Sequence, residues 1–69
     1  MSWKTINAIL ALAVVDENFR ESLLQNPVQT IQLKNFELTQ VEREKIRHIN
    51  AHDLTEFSQK ILTVFSKES

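Results

Sequence analysis

No glycine occurs anywhere in the 69 residues, and there is a single proline. Glycine is the residue that reaches left-handed backbone conformations cheaply, so phosphate-cradling loops, dinucleotide-binding turns and nucleophile elbows are excluded. Tight hairpins become improbable with them, because two-residue turns favour Asn-Gly or Asp-Gly. Turns must be made by Asn, Asp and Pro27. A chain so restricted is most easily built from helices joined at capped corners, and its apolar spacing is helical throughout.

The spacing predicts a first helix from Trp3 to Val15 with Ser2 as N-cap. Trp3, Ile6, Ile9, Leu10, Ala13 and Val14 fall on one stripe, which Leu12 and Val15 widen. A face this broad is either deeply buried or shared with a partner. Trp3 is read as a core aromatic closing one end of the bundle, the alternative being a partly exposed anchor for a partner. The run Ile9–Val15 falls far short of the roughly 20 apolar residues that span a bilayer. Asp16-Glu17 follows it at once, as suits a core helix rather than a targeting segment.

Asp16 is placed to cap a second helix, from Glu17 to about Gln25, whose buried face is Phe19, Leu23 and Leu24. A continuous first and second helix is the alternative, since Asp inside a helix costs only tenths of a kcal/mol. Asn26-Pro27 ends that element, and proline is welcome at the first position of the next. A short helix then runs to about Lys34 with Val28, Ile31 and Leu33 inward, and Asn35 takes the left-handed conformation after it. Phe36 and Leu38 plug the core from a connector. Thr39-x-x-Glu42 is a capping-box pattern opening a fourth helix to about Asn50, with Val41, Ile46 and Ile49 inward. Glu42, Arg43, Glu44, Lys45 and Arg47 are read as its solvated face. The fifth helix follows Asp53 and carries Leu54, Phe57, Ile61, Val64 and Phe65 on one stripe. The expectation is all-α: one domain over residues 1–69, a compact bundle of four or five short helices, with a frayed tail at about 66–69.

Composition narrows the chemistry. With no cysteine, disulfides and thiolate metal sites are out, and a reducing cytoplasm suits the chain. Eight basic and nine acidic residues are scattered, giving a net charge of −1 with no concentrated basic face, so neither nucleic acid nor membrane is expected as a partner. Glu44, His48 and His52 recur every four residues, a spacing that can hold zinc on an unbroken helix. Asn50 and Asp53 break that helix between the two histidines, so the expectation is surface histidines and no metal. The serines fall at caps or exposed positions, and so short a helical chain offers little room for an enclosing pocket. No catalytic residue and no cofactor are expected.

An ordered pattern remains: Asp16-x-x-Phe19-Arg20-x-x-Leu23-Leu24-x-x-Pro27, then Ile31, then Leu38-Thr39-x-x-Glu42, then Ile49-x-Ala51-x-x-Leu54. Over about residues 6–61 it resembles small helical proteins related to the small subunit of extradiol protocatechuate dioxygenases. It looks most like the branch found as leader domains of ribosomally made, post-translationally modified peptide precursors. The resemblance implies a docking domain: a leader holds its peptide against a modifying enzyme, and the dioxygenase small subunit packs on the catalytic subunit. Where the family usually has glycine before the Leu-Thr step, this chain has Glu37. The segment 63–69 lacks the cysteine of thioether and thiazole cores; Ser66 and Ser69 are candidate modification sites, but the segment does not look like a peptide product, so a docking domain without the precursor role is expected. The partner is another protein, an enzyme in the first reading. Trp3, Phe19, Leu23, Phe36 and Phe65 are the expected contributors to its surface, without core and interface being separable among them. An accessory subunit of a metal-dependent oxygenase and a homodimer through the wide first helix are the alternatives.

Overall fold

Every helix but the third starts where a side chain satisfies backbone groups that the helix leaves open. The computed structural model describes residues 2–66, which form five helices: α1 Trp3–Val15, α2 Glu17–Gln25, α3 Pro27–Leu33, α4 Gln40–Arg47 and α5 Leu54–Ser66. The Ser2 hydroxyl accepts from the Thr5 N–H at 3.1 Å, and Asp16 Oδ1 accepts from the Phe19 N–H at 3.0 Å. Asp16 is itself extended (φ −121°, ψ 105°), which separates α1 from α2. Pro27 takes the first turn of α3, where a missing N–H costs nothing. Asn35 has φ 66°, the left-handed conformation that lets the chain leave α3 without glycine.

The chain turns back at each corner, so that α1 packs on α2 and α5, α2 on α3 and α5, and α3 on α4. Ile6, Ile9 and Ala13 of α1 meet Phe19, Leu23, Ile31, Ile46 and Ile49. Phe57, Ile61 and Phe65 of α5 close the same cluster. The radius of gyration, 10.8 Å, matches the roughly 11 Å expected of a well-packed domain this long. Among the described residues, no buried side-chain nitrogen or oxygen lacks a hydrogen-bond partner. Of the stretch about 66–69 expected to fray, Ser66 is helical and its hydroxyl donates to the Thr63 carbonyl. Residues 67–69 lie outside the described residues.

Five apolar positions expected on inward stripes are outside. Trp3 is 49% exposed, Leu33 73%, Val15 81%, and Val14 and Val41 are more than half exposed. The cause is rotational. With about 100° between successive residues, Trp3 and Val14 lie roughly 90° around α1 from the middle of the Ile6–Ile9–Ala13 arc. Leu33 lies nearly opposite Ile31, and Thr30 takes a buried place beside it. In α4, Glu42 rather than Val41 faces inward, although it was counted with the solvated face. That helix also stops at Arg47, three residues earlier than the spacing suggested.

Glu42 is only 7% exposed. Its carboxylate accepts the Thr39 N–H at 2.8 Å while its own N–H donates to the Thr39 hydroxyl at 3.1 Å, a complete capping box. Burial pushes its pKa up, but hydrogen bonds, those from Thr39 among them, outweigh burial and hold it below its ordinary value of 4.5. A depressed carboxylate pKa contributes stability that is present above the unfolded value and lost as pH falls through the folded one. Glu42→Gln keeps the acceptor but removes its charge, and is expected to cost about 1 kcal/mol at pH 7. Urea unfolding should show that difference shrinking as the pH falls below 4.5; a difference independent of pH would mean the charge is not engaged.

Candidate docking surface

The outer side of α1 is the largest run of exposed apolar side chains on one element. Ala8, Ala11, Val14 and Val15 are exposed there together with Lys4 and Asn7, and Trp3 stands half-exposed at the same end as Lys4. These positions recur at three- and four-residue intervals, which places them along one side of a helix about 20 Å long. Lys4 is the only charged residue in α1. Single exposed apolar residues are ordinary on any protein surface. A contiguous stripe on one helix is the arrangement that marks an interaction site.

The far end of this stripe is held rigidly. The last carbonyls of a helix have no partner within it, but here the Arg20 guanidinium donates from Nη1 to the Ala13 carbonyl at 3.1 Å and more weakly to that of Val14 at 3.4 Å. The Asp16 N–H donates to the Leu12 carbonyl at 2.9 Å. Val14 and Val15 therefore project from a helix end that is fixed to α2. Both are β-branched, which lowers helix propensity, and Val15 is 81% exposed. Folding gains little from either residue at these positions.

Of the five residues expected to contribute to a partner surface, only Trp3 lies on this face. Phe19, Leu23 and Phe65 are core residues, and Phe36 is half-buried in the connector after Asn35. Large apolar side chains on a helical stripe look alike in sequence whether they face the core or a partner, and the bundle supplies the distinction. Ala8 and Ala11 went unnamed because small residues carry little signal individually, whereas Val14 and Val15 were counted in the broad stripe of the first helix. Their concentration around a helix with one charge was the legible sign.

The histidine pattern does not assemble. Glu44 is paired with Arg47 at 2.7 Å on the exposed side of α4. His48 is the C-cap of that helix, with ψ 0°. His52 lies in the following bend, where its N–H donates to Glu56 Oε1 at 2.7 Å and the Glu56 N–H donates to Asp53 Oδ1 at 2.8 Å. That reciprocal pair opens α5 much as a capping box would. Among the described residues, no three His, Asp or Glu side chains are grouped to hold a metal ion. No helix among them is long and apolar enough to cross a membrane.

No protein-family model matches the chain, and no match is found among curated proteins or among solved structures.

Proposed function

We propose that this chain is a non-catalytic docking domain of the precursor-leader type, which presents the outer face of α1 to a modifying or partner enzyme. The observation that carries this reading is the stripe of Trp3, Ala8, Ala11, Val14 and Val15, uninterrupted by charge beyond Lys4 and unused by the core. Trp3 is of the residue type most enriched at the centre of an interface, where water is excluded. The resemblance to leader domains supports the reading in one further respect. Its motif residues serve here as caps and core: Asp16, Pro27, Thr39 and Glu42 at corners, Phe19, Leu23 and Ile31 inside. They specify a scaffold, and leave the partner to be chosen by surface residues outside the motif. The dioxygenase-subunit reading differs only in the enzyme, a catalytic oxygenase subunit. A cytoplasmic setting, away from nucleic acid and membranes, belongs to the proposal and is supported by the missing cysteines and scattered charge.

A second reading is favoured by Ala8 and Ala11. Small side chains near the middle of a helix face allow two helices to approach closely, so the same stripe suits a homodimer. The test is affinity capture from the native cell with the wild-type chain and with Val14→Lys/Val15→Lys, accompanied by sedimentation. Retention of an enzyme by the wild type and its loss from the variant is the expected result. Equal retention by both chains would refute docking through α1. A wild-type dimer at micromolar concentration that the variant dissociates would replace the enzyme reading with self-association.

A further inference from the structure

Thr30 is only 6% exposed, yet its hydroxyl makes no hydrogen bond with any described residue. A threonine within a helix can donate to the carbonyl one turn back, and burying a hydroxyl that makes no bond is costly. Among the described residues no fully buried side-chain oxygen lacks a partner. The Thr30 oxygen therefore reaches solvent, and its opening is a cleft of about 220 Å³ between α2 and α3, which Thr30 lines. Two polar pairs share this cleft. Asn18 and Ser22 lie four residues apart on α2, and Thr30 and the C-cap Lys34 four apart on α3, so each pair occupies one side of its helix. Lys34 forms no ion pair with any described residue. Together the pairs bring two hydroxyls, a carboxamide and an ammonium to one concavity, all able to donate. Asp16 lines it as well. Its Oδ1 accepts the Phe19 N–H at 3.0 Å, which leaves its other oxygen as an acceptor for a ligand. Exposed Leu33 supplies an apolar wall.

We propose that this cleft captures the free C-terminus of a partner peptide. The terminal carboxylate takes donors from Thr30, Lys34 and the Asn18–Ser22 pair, the last backbone N–H donates to Asp16, and an aliphatic terminal side chain lies on Leu33. The mixed lining selects this ligand among anions. A chain terminus carries an anionic acceptor and a neutral donor side by side, which matches a set of donors beside one carboxylate. A side-chain carboxylate brings no such donor, and a phosphate dianion would be repelled by Asp16. Folding does not call for the Thr30 oxygen, because valine has nearly the same shape and would fill the position without a buried hydroxyl. The site is built on α2, α3 and the corner before α2, and its occupation does not require that the α1 face bind anything.

The test is an NMR titration of the full ¹⁵N-labelled chain with four probes. They are an acetylated alanine-alanine-leucine tripeptide with a free C-terminus, the same tripeptide as its C-terminal amide, an amidated tripeptide with glutamate in the middle, and inorganic phosphate. The free acid is expected to shift the amides of Asn18, Ser22, Thr30 and Lys34, and to bind about tenfold more tightly than either amide. Thr30→Val is expected to weaken that binding several-fold while leaving the urea midpoint unchanged or raised, a combination that a merely structural hydroxyl would not give. Lys34→Gln, at an exposed position, should weaken it several-fold with the helical spectrum unchanged. Shifts in α2 and α3 without shifts in α1 keep this site apart from the proposed α1 face. The proposal is overturned if either amide matches the acid, if phosphate reproduces the shifts at the same concentration, if shifts are confined to α1, or if none occurs. It is equally overturned if Thr30→Val lowers the urea midpoint, since the hydroxyl then serves the fold.

Discussion

Phe57→Ala is expected to leave the chain largely unfolded at room temperature. Phe57 is the largest side chain in the fully buried part of the core, at 1% exposure. Truncating a buried phenylalanine costs about 3–5 kcal/mol, because the removed surface is lost together with the contacts of the cavity left behind. A domain of this length has only about 3–10 kcal/mol of net stability, at about 0.05–0.15 kcal/mol per residue. No disulfide constrains the unfolded state, since the chain has no cysteine. Neighbouring helices cannot easily collapse into the gap, because Phe57 belongs to the helix that contacts both α1 and α2. Far-UV circular dichroism during urea unfolding measures the effect. Phe57→Leu, which keeps much of the volume, should recover more than half of the loss. A Phe57→Ala chain that melts cooperatively within a few degrees of the wild type would place the centre of the core elsewhere.

Helix boundaries were legible wherever the chemistry that sets them is local. Ser2, Asp16, Pro27, Asn35 and the Thr39–Glu42 pair each act within three or four residues, so sequence spacing contains the whole interaction. The end of α4 was not marked in this way. His48 takes a helical φ with ψ near zero and has no proline or left-handed residue after it. Which face of each helix points inward was legible only approximately. Trp3, Val14, Leu33 and Val41 are apolar and correctly spaced, yet the rotation of a helix is set by neighbours distant in sequence. The clearest failure of pattern is Glu42, where a carboxylate takes an inward position because its hydrogen bonds to Thr39 make burial tolerable. The candidate surfaces divide in the same way. The breadth of the α1 face could be read from its composition. The cleft between α2 and α3 could not, since it brings Asp16, Asn18 and Ser22 beside Thr30, Leu33 and Lys34, residues at least eight apart in the chain.

Leu23→Ala and Val14→Lys/Val15→Lys are expected to act oppositely on stability and on partner capture. Leu23 has no exposed surface, so its truncation should cost about 2–5 kcal/mol. Any loss of binding that accompanies it should then track the unfolded fraction. The two valines are exposed, and substitutions at such positions usually stay within about 0.5 kcal/mol. Lysine is the suitable replacement because a cation near a helix C-terminus opposes the partial negative charge there, a favourable effect of about 0.3–1 kcal/mol. The nearby Arg20 guanidinium offsets part of that gain. An α1 variant with an unchanged urea midpoint and no captured enzyme would assign binding to the surface rather than to the fold. The converse result is equally decisive. If Leu23→Ala abolishes capture at concentrations of urea where it remains fully helical, then Leu23 must reach the partner, and the bundle must open to admit it. Trp3 reports which of these occurs, because an aromatic half-exposed in the free chain shifts its fluorescence to shorter wavelength when a partner covers it. A bundle that opens should first shift that emission to longer wavelength.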